Sequence, residues 1–146
     1  MGVHAVKASE VCRLPLAALD LTRGTITVER RHHSHTVYLD ALTMDLAAQW
    51  LRERRRSWPT ALNPHLFITT HTARHPARVP LSYLGLRAAF DQAGMTPRQL
   101  WSDRVLDEAR QTADPIHLIR LFGIHPSTAM KYLTAAHPDK VFPRIR

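Results

Sequence analysis

"LFGIHPSTAMKYL", residues 121–133, carries the most structural instruction of any stretch in the chain. Leu121-Phe122 reads as a helix end and Gly123 as the turn, since glycine enters left-handed backbone without steric cost. Pro126 suits the first position of a new helix, where its missing N–H would have no partner in any case. Ala129, Leu133 and Ala136 then recur at i, i+4, i+7 and give that helix a packing stripe. Lys131 lies off the stripe, where it faces solvent or a phosphate. Just upstream, Asp114-Pro115 opens "IHLIRLF" as N-cap and first helical residue. Residues 114–136 therefore have the form of a helix-turn-helix, two short helices across a glycine turn. Tyr132 stands inside it, and the local pattern leaves open whether it is a reactive phenol or an ordinary helix residue.

Working outward, Thr96-Pro97 repeats the cap device, and Trp101, Val105 and Ala109 form an i, i+4, i+8 stripe that places the indole in a core. Ser82 caps a preceding helix with Tyr83, Leu86, Phe90 and Ala93 on one face and Gly94 at its end. "TARHPARVP" (72–80) reads as a loop and "HLFITT" (65–70) as a short strand or extended segment. Thr43 caps a helix that runs through Trp50 and Leu51 and ends in "RERRRSWP". Near the start, "TITV" and "TVYL" alternate with period two around a basic tip, Arg31-His32-His33-Ser34, which predicts a β-hairpin. "ASEVCRL" (8–14) reads as a short helix closed by Pro15. The expected fold is α+β and mostly helical, an N-terminal hairpin or small sheet followed by a helical body. One domain over residues 1–137 and a basic tail over 138–146 are expected.

A chain of 146 residues with 45% hydrophobic and 22% charged residues can close one sizeable core. No apolar run approaches the ~18 residues of a membrane span. The first residues show neither a signal-peptide core nor, with Val6 at the critical position, a myristoylation pattern. Cys12 is the single cysteine, so disulfides have no role and a cytoplasmic protein is expected. The net charge of +8, dominated by arginine, favours an anionic partner, most often nucleic acid. Arginine-rich coding with mere solubility is the plainer source of that charge. "HHSH" (His32, His33, His35) alternates faces on a hairpin, and no fourth ligand converges with it, so no metal is expected. In "LRERRRSWP", Arg52, Arg55 and Arg56 share a helical face beside Trp58. That face is a basic arm on nucleic acid or a solvated helix end whose charge suits the dipole.

Taken in order, a short helix with Ser9-Glu10, a hairpin with a basic tip, a helical body and a late glycine-turn helix with tyrosine resemble the catalytic domain of tyrosine recombinases, the phage-integrase family. The resemblance runs from about Ala5 to Ala136, and "FGI…TAMKY" is similar to actinobacterial integrases. It implies DNA integration and recombination on duplex DNA, self-assembly on paired sites, and neither cofactor, small-molecule substrate nor membrane. It makes Tyr132 the nucleophile and sets Lys7 of "AVKASEV" where the family has its first arginine. Arg31 takes the hairpin lysine's place. In "RQLW", Arg98 stands for a histidine and Trp101 for an arginine. In "LFGI", Gly123 or Ile124 stands where histidine or tryptophan is usual. His125 and Arg104 lie within a turn of the vacated positions. Arg30, Arg104 and Lys131 are the DNA contacts the resemblance implies. It also implies that the chain lacks the N-terminal helical domain with which these recombinases close around DNA.

The substitutions have a chemical consequence. A phenol attacking a phosphodiester needs cations to cradle the phosphorane oxygens and an acid to protonate the departing 5′-oxygen. Lys7 keeps the charge but not the planar two-pronged donor. Arg31 keeps charge but does not give up a proton. Trp101 offers one uncharged N–H, and Ile124 offers none. Each lost transition-state donor costs roughly 2.7–4 kcal/mol. The sequence thus predicts a recombinase-like DNA-binding protein with impaired catalysis. The alternatives are an active divergent recombinase, or a small non-catalytic regulator that binds DNA through residues 114–136.

Overall fold

The computed structural model describes residues 4, 6–30 and 33–140. The chain forms two compact units, Ala8–Ala93 and Gly94–Arg146 together with Met1–Lys7. Helices dominate and the described strands form one small antiparallel sheet, so the expected α+β, mostly helical class is what the chain adopts.

In the unit Ala8–Ala93, α1 (Ala8–Arg13) stops short of Pro15, as predicted, and leads through a 3-10 turn, Leu16–Ala18, into the sheet. β1 (Leu19–Asp20), β2 (Thr25–Arg30) and β3 (His33–Tyr38) pair antiparallel in that order. The period-two alternation sends Ile26, Val28 and Val37 inward, with Ile26 opposite Val37, and leaves Glu29, Ser34 and Thr36 exposed. β1 has only two residues, too few to register as periodicity. Arg31 and His32 lie outside the described residues.

α2 (Ala41–Ser57) is capped by Asp40 rather than Thr43. The Asp40 carboxylate accepts the Thr43 N–H at 2.8 Å and the Thr43 hydroxyl at 2.9 Å, so Thr43 is the residue being capped. The helix continues through the whole arginine run. Arg54 is its buried member, donating to the carbonyl oxygens of Asn63 at 2.6 Å and His65 at 3.3 Å, and burial lowers its pKa. Arg56 pairs with Glu53 at 2.8 Å, and Trp58 packs on Trp50 with ring centres 6.3 Å apart. Residues 65–70 form no strand. Residues 64–66 lie beside residues 14–16 through one isolated bridge, Pro15 to His65, and two backbone bonds of 2.7 Å. Asn63 pins the unit from inside. Its amide donates to the carbonyls of Thr72 and Val79, both at 2.9 Å, while its oxygen accepts from the His65 N–H at 3.0 Å.

A short helix, α3 (Thr70–Arg74), occupies the start of what reads as a loop, because Thr69 and Thr72 close a reciprocal capping box. Ser82 caps α4 (Tyr83–Asp91) as expected. The predicted stripe is only half-buried, with Tyr83 45% exposed. The helix ends at Asp91, and the left-handed Gly94 (φ +67°) follows three residues later.

The second unit is built on three helices: α5 (Pro97–Gln111), α6 (Pro115–Phe122) and α7 (Pro126–Ala136). Each begins with proline in its first turn behind a side-chain cap: Thr96, Asp114 and His125. Gly123 joins α6 to α7 at φ 57°, ψ 34°, the left-handed conformation the glycine predicts. One core serves all three helices: Val105 and Ala109 from α5, Leu118 and Phe122 from α6, Ile124 from the turn, Ala129 and Leu133 from α7. Trp101, Tyr132 and Ala136 pack against it, so the predicted stripes on α5 and α7 both face inward. Burying each large apolar side chain stabilises the unit by about 1.5–3 kcal/mol over leaving it in water. His137 finishes the unit by donating its Nε2 proton to the carbonyls of Ala109 at 2.8 Å and Thr112 at 3.1 Å, at the end of α5.

Candidate functional site around Tyr132

Tyr132 is positioned by the register of α7 on α5. With Ala129 and Leu133 held fully buried, the helix turns Tyr132 toward α5, where its ring meets Trp101 edge-on, centroids 5.9 Å apart at 76°. The Tyr132 hydroxyl lies 3.0 Å from the Ser102 hydroxyl, half-buried. Ser102 sits on the stripe of Val105 and Ala109, at i, i+3, i+7. A small polar residue on an apolar face signals a buried partner, yet nothing in the sequence pairs it with a residue 30 positions later.

The Lys7 ammonium stands 5.5 Å from the Trp101 ring centre, in cation–π contact. The structure thus brings together Lys7, Trp101 and Tyr132 of the expected site and adds Ser102. Trp101 Nε1 is buried without a hydrogen-bond partner. The indole at this position fills space and receives a cation. Ile124, 5% exposed, is a core residue.

The remaining candidates are placed differently. Arg104 pairs with Glu108 at 2.9 Å and lies 5.3 Å from the Phe122 ring centre. Glu108 also bonds His117 Nε2 at 2.8 Å, and these contacts, His117 first and Arg104 after it, hold its carboxyl below the usual range against the opposing effect of burial. His125 caps α7, its Nδ1 accepting the Ser127 N–H at 3.2 Å and lying 2.8 Å from the Ser127 hydroxyl. Arg98 and Lys131 are exposed on α5 and α7. Arg30 grips Glu10 through two bonds of 2.7 and 3.2 Å, both side chains nearly buried, which neutralises the charge a phosphate contact would use. Arg31 is outside the described residues. Among the described residues no group of three histidine, cysteine or acidic side chains is placed to hold a metal. No helix among them is long and apolar enough to cross a membrane.

The sequence matches no protein-family model and no curated protein. Solved structures do match. The chain superposes on XerA recombinase with a TM-score of 0.71 at 18% identity, over 90% of this chain and 48% of that one. On the XerH site-specific recombinase bound to its difH substrate before cleavage, the TM-score is 0.68 at 19% identity, over 90% and 39%. On the Tn1549 transposon integrase with a circular-intermediate DNA, it is 0.69 at 13% identity, over 90% and 51%. The chain therefore spans about half the length of these proteins or less. The likeness establishes the fold, which is that of a tyrosine-recombinase catalytic domain.

Proposed function

We propose that this chain, built on a tyrosine-recombinase catalytic-domain fold, binds duplex DNA and belongs to the chemistry of DNA integration and recombination with its strand-transfer step impaired. The surroundings of Tyr132 carry the second half of that reading. Strand cleavage joins the phenol oxygen to phosphorus and expels the 5′-oxygen, which must take up a proton. Near Tyr132 the described residues supply the Ser102 hydroxyl, the Trp101 ring and the Lys7 ammonium that contacts that ring. No guanidinium fork takes the place of Trp101, and the apolar Ile124 faces the core. Two missing donors at roughly 2.7–4 kcal/mol each leave a rate several powers of ten below that of a complete site, even if the losses do not add fully. Where cleavage does occur, further copies of the chain on paired sites complete the exchange, with Lys7, Arg31, Arg98 and His125 as the groups nearest to the required roles.

The positive half of the reading, duplex binding, is supported by the net charge of +8 and by the fold's likeness to proteins solved on DNA. The experiment is covalent capture on nicked duplexes, in which a cleaved strand cannot be rejoined. Wild type and Tyr132→Phe are expected to retain DNA equally and to form no protein–DNA adduct. An adduct in wild type that disappears in Tyr132→Phe would restore full catalytic status to the site. Failure of both proteins to retain duplex would remove the DNA reading altogether.

A further inference from the structure

We propose that the unit Ala8–Ala93 carries a second site, a basic cavity for a small anion that bears a planar ring, the chemistry of a nucleoside monophosphate. Its lining residues all belong to that unit, so the site does not depend on the reading of Tyr132, which lies in the other.

The cavity has a volume of about 540 Å³, within the roughly 300–1,000 Å³ that suits a small molecule. One wall is the stretch 57–63 at the end of α2, and the other is the stretch 73–78, where α3 ends. Asn63 joins the two. It is 3% exposed, and its amide donates to the carbonyls of Thr72 and Val79, both at 2.9 Å. One buried side chain thus closes the loop 72–79 and holds it against residue 63. Within that loop the Arg78 N–H donates to the His75 carbonyl at 3.0 Å, a tight turn that sets Arg78 beside His75. Arg78 takes φ 49°, and among the described residues no other non-glycine enters the left-handed region. An arginine is strained where a glycine would not be, and strain of this kind gathers at ligand clamps.

The chemistry of the lining points to an anion. It includes Arg74, His75 and Arg78 and no aspartate or glutamate. The whole stretch 54–90 holds six arginines and three histidines and no acidic residue. Arg74 and Arg78 are exposed, and among the described residues neither meets a carboxylate, unlike Arg56 and Arg87 of the same stretch. Their guanidiniums are open to a phosphate, which a planar fork binds through two parallel hydrogen bonds. His75 Nδ1 accepts the Ala77 N–H at 3.2 Å, which leaves the ring proton on Nε2 as a further donor. Trp58 supplies the platform for a ring. It lines the same cavity, half-buried, and Trp50 holds it with ring centres 6.3 Å apart. An indole stacks on any base, because every base has a π face. A space of this volume admits one nucleotide and not a duplex.

The test is calorimetric titration of the full chain with adenosine 5′-monophosphate, adenosine and inorganic phosphate as separate probes. The monophosphate is expected to bind at least about tenfold more tightly than either fragment, since it uses both parts of the cavity. Arg74→Gln and Arg78→Gly are each expected to weaken it about tenfold, as for one lost charge-assisted hydrogen bond. Arg78→Gly also relieves the left-handed backbone, so it should melt no lower than wild type, which separates lost binding from lost folding. Monophosphate binding unchanged in both arginine variants would overturn the site. So would a wild type that binds the monophosphate no better than inorganic phosphate, or that binds none of the three probes. A duplex that displaces the monophosphate, and itself binds more weakly to both arginine variants, would put these cations on DNA and overturn the small-ligand assignment.

Discussion

Glu108 shows how much of this chain's charge is directed at itself. It accepts hydrogen bonds from His117 at 2.8 Å and Arg104 at 2.9 Å, and its side chain is only 17% exposed. These contacts lower its pKa from an ordinary value near 4.5. A carboxyl whose folded pKa lies below its unfolded one adds stability that is present above the unfolded value and lost as pH falls through the folded one. Glu108→Gln, which keeps the shape and cannot ionise, should therefore melt below wild type at pH 7 by about 3–4 °C, for a loss near 1 kcal/mol. The gap should close as pH falls below about 4.5 and through the lowered carboxyl pKa. Thermal melts of both proteins between pH 7 and pH 3 measure it, and a gap that stays constant across that range would mean the ion pair contributes nothing. The same reasoning explains Arg30. Its partner Glu10 lies 20 positions away, and no local pattern announces such a pair. Read from its neighbours, Arg30 is one more cation beside the hairpin tip. In the fold it is a neutralised tie between α1 and β2.

At the scale of elements, the parts that were legible are those whose signals are local. Thr96-Pro97, Asp114-Pro115 and Ser82 mark helix starts because a side-chain oxygen and a missing N–H act within one turn. The hairpin was legible from period two, and the stripes on α5 and α7 from period 3.6. What escaped was too short for any period, as with β1 and α3, or was decided by competition between neighbours. Asp40 outranks Thr43 as cap because a carboxylate meets the helix dipole more favourably than a hydroxyl does. At the site, Trp101 was legible as core, whereas Ser102 became visible only once α7 was laid on α5. Gly123 is the element-scale hinge of that arrangement. At φ 57°, ψ 34° a Cβ crowds the following carbonyl, so Gly123→Ala should cost roughly 1–2 kcal/mol and Gly123→Asn distinctly less. Urea midpoints of the three proteins give the order directly. An alanine variant within about 0.5 kcal/mol of wild type would behave like an ordinary surface substitution. The left-handed turn would then not be what sets α6 against α7.

For the whole molecule the question is what a net charge of +8 does. Part of it is spent inside the fold: Arg30, Arg56, Arg87 and Arg104 sit in ion pairs, and Arg54 caps buried carbonyls. An arginine-rich composition without a partner would leave the remaining cations scattered and individually solvated. A DNA-binding surface would instead engage several phosphates together and release their counterions. The two cases differ in a measurable exponent, because the logarithm of the binding constant falls with the logarithm of salt at about 0.9 per phosphate neutralised. If the chain engages about four or five phosphates, the slope should be near −4. Raising salt from about 50 to about 200 mM would then weaken duplex binding about 250-fold. Fluorescence anisotropy with one labelled duplex at four or five salt concentrations is sufficient. A slope shallower than about −1 would mean that the excess charge meets DNA one residue at a time. The arginines would then be a property of composition, and the DNA-binding half of the proposed function would fall with them.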